Sequence, residues 1–241
     1  MKLNDIRDVA VIGSGVIGYS WALSFAMNGQ KVHVYDVKDD ALKLAKSRIH
    51  DSLENLASNK VLNPNKIEKI ESRISYTTSI ENAVKNTKFI VESGPEKYEV
   101  KWSIVNDVEK YASEDAIIAS STSGLLITEI AKNAKHPERF IGAHPYNPPY
   151  LIPLVEITKG EKTKDENVQL AYDLYKSIKK EPVILQKEAL GFICNRIQMA
   201  VYREVSDLVM RGVCSIEDAD KAVTYLSLIH ISEPTRLQLI S

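Results

Sequence analysis

Cysteine is nearly absent: Cys194 and Cys214 are the only two in 241 residues, too few for a disulfide scaffold or a structural zinc site. They suit a reducing compartment, and a cytoplasmic location is expected. Charge of one sign is also lacking, with 31 Lys and Arg against 32 Asp and Glu and a formal net charge of −1. That balance provides no broad field for a nucleic-acid backbone or an anionic lipid surface, so any anion must be gripped locally. Aromatics make up 7% of the residues and are not interleaved with basic clusters, which removes the sequence pattern of a nucleic-acid binder. No apolar run approaches the roughly 18 residues of a membrane span, and Asp5, Arg7 and Asp8 interrupt the N-terminal pattern. Neither a spanning helix nor a signal peptide is expected. No His, Cys or Asp cluster has zinc spacing, and no metal is expected.

What is present is an alternation of short apolar runs with longer helical patterns, the signature of repeated βα units around a mostly parallel, buried sheet. Strands are predicted at 9–13, 31–36, 74–78, 88–93, 116–122, 140–145, 154–158 and 182–186. Helices are predicted over Gly18 to Gly29, about Asp39 to Ser58, and roughly 96–112. Beyond Gly191 the period changes. Ile193, Ile197, Val201, Val205 and Leu208 recur at helical spacing, and Ser215, with Asp218 three residues on, caps a further helix. This reading gives an α/β domain over 1–187 and the start of an all-helical domain over 188–225.

The segment GSGVIG at 13–18 matches G-x-G-x-x-G. Such strings arise by chance, but this one follows a predicted strand, opens a helix, and precedes a second strand ending in Asp36, 18 residues beyond Gly18. In that context Gly13 permits the tight turn, Gly15 lets backbone approach a pyrophosphate, and Gly18 allows close helix packing. Val16 and Ile17 lead into the helix, whose N-terminus faces the phosphates. Asp36 would accept the ribose hydroxyls and repel a 2′-phosphate. The expected cofactor is NAD, held in a Rossmann-type fold with helices on both faces of the sheet.

Open α/β sheets place ligands at the carboxyl ends of their strands. There this chain carries VESGPE at 91–96, SSTSGL at 120–125, GAHPYNPPY at 142–150 and PLVEIT at 153–158, with GFICNR at 191–196 beyond the last strand. Together these resemble the 3-hydroxyacyl-CoA dehydrogenase family over about Val9 to Tyr225. The resemblance implies that His144 is the general base taking a hydroxyl proton as hydride leaves for the nicotinamide, and that Glu156 holds the other ring nitrogen. It implies that Ser123 and Asn195 bind the reacting oxygen. It also places Glu96, Lys101 and Asn147 at the ribose or nicotinamide end of the cofactor. Without the resemblance, His144 could be a structural histidine, Ser123 a turn residue, Asn195 a helix cap and Lys101 a solvated helix charge. His33, His50 and His136 match nothing in the pattern.

Two departures bear on the substrate. The family's acyl-CoA members, which serve fatty-acid metabolism, usually read N-T-S-S and H-F-F-N-P, whereas this chain reads STSG at 121–124 and HPYNPP at 144–149. The latter is closer to the branch with λ-crystallin, L-gulonate 3-dehydrogenase and the carnitine dehydrogenases, which act on small 3-hydroxy acids. The expected partner is therefore a small molecule, either a 3-hydroxyacyl-CoA or a free 3-hydroxy acid, and the resemblance implies a homodimer when the chain is full length. A non-catalytic, structural NAD-binding protein is the alternative from another class. Residues 226–236, LSLIHISEPTR, are a residue-for-residue translation of a transposon-end sequencing adapter. The tail over 226–241 is thus expected to be artefactual, with the genuine sequence stopping near Tyr225 and the helical domain cut short.

Overall fold

The computed structural model describes residues 1–226, without the side chain of Leu226. The expected adapter-derived tail otherwise lies outside the described residues. Two compact units divide the chain, Met1–Phe192 and the segment from Ile193 onward. The boundary lies five residues beyond the expected one at 187. The connecting stretch is tied to the first unit: Leu185 donates to the carbonyl of Ile157, Glu188 accepts from Thr128, and Phe192 is buried.

In the first unit the strands are β1 (Asp8–Ile12), β2 (Lys31–Tyr35), β3 (Ile74–Thr77), β4 (Phe89–Glu92), β5 (Ile117–Ser120), β6 (Phe140–Pro145), β7 (Leu154–Lys159) and β8 (Glu181–Ile184). The helices are α1 (Val16–Met27), α2 (Asp39–Ser58), α3 (Ile67–Glu71), α4 (Ile80–Val84), α5 (Tyr98–Glu109), α6 (Ile127–Ile130) and α7 (Asp165–Ser177). All eight strands form one sheet in the order β3-β2-β1-β4-β5-β6-β7-β8. Every neighbouring pair is parallel except β6 and β7. The order reverses between β1 and β4, which opens a crevice at their carboxyl ends.

Side-chain alternation along the strands supplies two cores. Val9 and Val11 of β1, Phe89 and Val91 of β4, and Val155 and Ile157 of β7 join one cluster with α1 and α7. Ala10, Ile12, Ile90, Ile118 and Phe140 join the other, with α4, α5 and α6. The helix α1 (VIGYSWALSFAM) is apolar on all sides and almost wholly buried, whereas α2 buries only the stripe Leu42, Ala45, Ile49, Leu53 and Leu56. No element is expected from the sequence between 159 and 181, yet α7 fills it, burying Val168, Ala171, Leu174 and Tyr175.

The first helix begins at Val16, two residues before the expected start at Gly18. Gly15 is its extended cap, and Gly18 sits inside the first turns. A Cβ at Gly18 would lie 1.8 Å from the carbonyl oxygen of Gly13, so only glycine lets the helix pack this closely on the turn.

The second unit contains α8 (Cys194–Met210) and α9 (Ile216–Leu226), which touch each other. Ser215 caps α9 as expected, its hydroxyl accepting from the amide of Asp218 at 3.0 Å. No residue of α8 is fully buried, and Ile193 and Ile197 of the predicted stripe are exposed.

Candidate active site

The antiparallel pairing of β6 with β7 places His144 directly opposite Glu156. Opposite residues in such a pair carry their Cβ atoms about 4.5–5.5 Å apart on the same face, within reach of a side-chain hydrogen bond. Here the His144 Nδ1 and Glu156 Oε2 atoms are 2.8 Å apart, and both residues are buried. The Tyr146 hydroxyl donates to the same Oε2 at 3.1 Å, with its ring centroid 4.8 Å from that of His144. Phe192 closes another side of the imidazole, its ring centroid 5.5 Å away. A carboxylate accepting at Nδ1 requires the Nδ1–H form of neutral imidazole, leaving Nε2 as the basic nitrogen.

A second polar cluster lies on the β4–α5 connection. Glu92 ends β4 on the face turned toward α5, where Lys101 meets it at 2.8 Å, each side chain only 1% exposed. Glu92 also accepts from the Ser120 hydroxyl at 2.5 Å and the Gly94 amide at 2.7 Å. Lys101 is therefore not a solvated helix charge. Its ammonium also reaches Glu96 at 3.5 Å.

Glu96 gathers the STSG turn after β5. Its Oε1 accepts from the Thr122 hydroxyl at 2.6 Å, the Ser123 amide at 2.9 Å and the Gly124 amide at 3.2 Å. Partial burial by itself would raise the Glu96 pKa. The Thr122 hydroxyl, the Lys101 charge and the two amides outweigh it and hold the carboxyl below its ordinary value. Ser123 is exposed at the tip of this turn, its hydroxyl 3.4 Å from Glu96, and Asn147 is exposed just beyond β6.

The glycine turn lies at the crevice between β1 and β4. A Cβ on Gly15 would meet nothing within 4 Å, so open space lies before the amides of Val16 and Ile17 at the helix N-terminus. Asp36, just past β2, accepts the Ser14 amide at 2.9 Å and the Ser14 hydroxyl at 2.7 Å on Oδ2. A cradle of backbone donors beside the Asp36 carboxylate fits a dinucleotide. Asn195 lies in the first turn of α8 in the second unit, half-buried. Among the described residues no group of three or more His, Cys, Asp or Glu side chains is arranged to hold a metal ion.

Glu92, Tyr146 and Ser14 were not expected from the sequence. A lone acid ending the apolar strand FIVE was the available signal for Glu92. Tyr146 was visible only as the residue standing where the family pattern has phenylalanine. His33 and His50 are occupied away from the site, by Asp8 at 3.1 Å and Glu71 at 2.9 Å.

Residues 8–189 match the family model described as 3-hydroxyacyl-CoA dehydrogenase, NAD binding domain, and residues 191–228 match the C-terminal domain of the same family. The chain is 39% identical over 220 residues to an L-carnitine dehydrogenase of Oceanobacillus iheyensis, covering 91% of this chain and 70% of that one. It is 37% identical over 224 residues to a 3-hydroxyacyl-CoA dehydrogenase of Gibberella moniliformis, covering 91% and 67%. The solved structure of an (S)-3-hydroxybutyryl-CoA dehydrogenase from Ralstonia eutropha superposes with a TM-score of 0.86 at 29% identity, covering 95% of this chain and 79% of that one.

Proposed function

The chain belongs to the 3-hydroxyacyl-CoA dehydrogenase family and is an NAD-dependent oxidoreductase acting on a 3-hydroxy group, and from that premise we propose that His144 is its general base, oriented by Glu156. The observation that carries this reading is the buried 2.8 Å contact between Nδ1 and Oε2. Nε2 takes the substrate hydroxyl proton, and the Glu156 carboxylate stabilises the imidazolium that results. Bound NAD would supply the acceptor for the hydride that leaves the carbon bearing this hydroxyl. The amides after Gly13 and Gly15, including those of Val16 and Ile17, hold its pyrophosphate. Asp36 holds its adenosine ribose, and Glu96 and Asn147 bind toward the nicotinamide end. Lys101 supports that end indirectly, by fixing Glu96.

Ser123 holds the oxygen that changes from alcohol to carbonyl, through a neutral hydrogen bond. The substrate is a small 3-hydroxy acid or a 3-hydroxyacyl thioester. The HPYNPP segment and the similarity to an L-carnitine dehydrogenase support the free acid. The similarity to a 3-hydroxyacyl-CoA dehydrogenase supports the thioester. The protein works in the cytoplasm as a homodimer, and the exposed apolar residues Ile193, Ile197 and Met199 support an interface on the second unit.

NAD reduction measured with L-carnitine, L-gulonate and 3-hydroxybutyryl-CoA tests the reading. Turnover with at least one is expected, and His144→Ala should abolish it while NADH still binds. Full turnover by His144→Ala would overturn the assignment of the base.

A further inference from the structure

Glu156 Oε2 accepts two donors, Nδ1–H of His144 at 2.8 Å and the hydroxyl of Tyr146 at 3.1 Å. A single residue, Pro145, separates His144 from Tyr146, and the strand end folds so that their rings lie against each other at a 59° tilt. The phenolic hydroxyl therefore reaches past the imidazole to the carboxylate behind it. Glu156 is fully buried and has no water-facing surface to spread its charge. Each donor it receives consequently has a large effect on how strongly it pulls the imidazole proton.

We propose that Tyr146 is a positioning residue of the base pair: its hydroxyl fixes the Glu156 carboxylate and shares its negative charge, setting the strength of the His144–Glu156 hydrogen bond. The inference rests on His144 and Glu156 being the catalytic base pair. The ring alone, as the family's usual phenylalanine supplies, would pack on the imidazole but could not donate. The added hydroxyl makes a two-residue pair into a three-residue unit. A carboxylate that accepts a second donor is a weaker acceptor for the first, so Tyr146 moderates the pull on Nδ1–H while holding Oε2 in place.

Removing the hydroxyl reverses both effects. In Tyr146→Phe the ring contact with His144 is retained, and Oε2 loses the phenolic donor that it shares with the imidazole. The expected result is a downfield shift of the His144 Nδ1–H proton resonance in the protein labelled with ¹⁵N-histidine, the resonance being assigned by its loss in His144→Ala. In the oxidation assay kcat should fall several-fold with little change in the KM for NAD, and the acid limb of kcat/KM should move to higher pH. In a Glu156→Gln background the same substitution should have no further effect, because it acts only through that carboxylate. An unmoved Nδ1–H resonance in a folded Tyr146→Phe protein would overturn the inference, and so would an undiminished effect in the Glu156→Gln background. Failure of the parent reading looks different: the wild-type protein would reduce no NAD with any of the three substrates, while the resonance experiment would still report on the hydrogen bond.

Discussion

Lys101 and Glu92 form an ion pair at 2.8 Å with each side chain only 1% exposed, sealed between the end of β4 and the first turn of α5. The pair is fully served by further donors, since Glu92 also accepts from Ser120 and Gly94. Its value to the site is positional: the same ammonium anchors Glu96, which in turn gathers the turn bearing Ser123.

Removing one partner alone leaves an uncompensated buried charge. Lys101→Met should cost about 3–5 kcal/mol of unfolding free energy, read from urea denaturation. The double variant Lys101→Met, Glu92→Gln should recover a substantial part of that loss. A single-variant cost below about 1 kcal/mol, in the range of exposed pairs, would show that the pair does not hold this corner together.

The glycines of the turn should separate folding from cofactor binding. Gly15→Val places its side chain where nothing lies within 4 Å, so the thermal midpoint should stay close to that of the wild type while NAD affinity collapses. Gly18→Ala brings its Cβ within 1.8 Å of the carbonyl of Gly13, so the fold itself should suffer. Differential scanning fluorimetry and NADH fluorescence titration on both variants distinguish the two. Equal losses of stability would refute the assignment of open space to the Gly15 side.

Lys180 gives a pH signature. It is buried, donates to the carbonyls of Pro149 and Ile152, and lies 5.8 Å from the centre of the Trp21 ring. Burial pushes its ammonium down from 10.5 to about 8. The folded protein thus releases the proton more readily than the unfolded chain does. Charging Lys180 opposes folding, and its contribution to stability rises with pH from about 8 toward 10.5. Lys180→Met should remove that rise from the curve of denaturation midpoint against pH. A curve of unchanged shape would refute the role of the shifted amine.

Much of the molecule was legible in the residues alone. Short β-rich runs at βα spacing specify a parallel sheet because a strand buried on both faces must be apolar throughout. GSGVIG followed by Asp36 specifies the dinucleotide crevice because only glycine tolerates that turn and that helix approach. The motif residues His144, Glu156, Ser123 and Glu96 could be named, and Glu156 assigned to His144, only through the family resemblance that the motifs carry. Order does not supply partners. That His144 meets Glu156 depends on an antiparallel pairing between β6 and β7 in an otherwise parallel neighbourhood, which a twelve-residue separation does not announce. That Lys101 is sealed against Glu92 depends on which face of β4 its last residue takes once α5 packs there. That the Tyr146 hydroxyl shares a carboxylate oxygen with His144 depends on the fold of the chain beyond the strand end. Local propensity and spacing act over a few residues and so determine the elements and the cofactor turn. Burial and hydrogen-bond partnership arise only when distant elements pack, and those decided how the candidate site is held together.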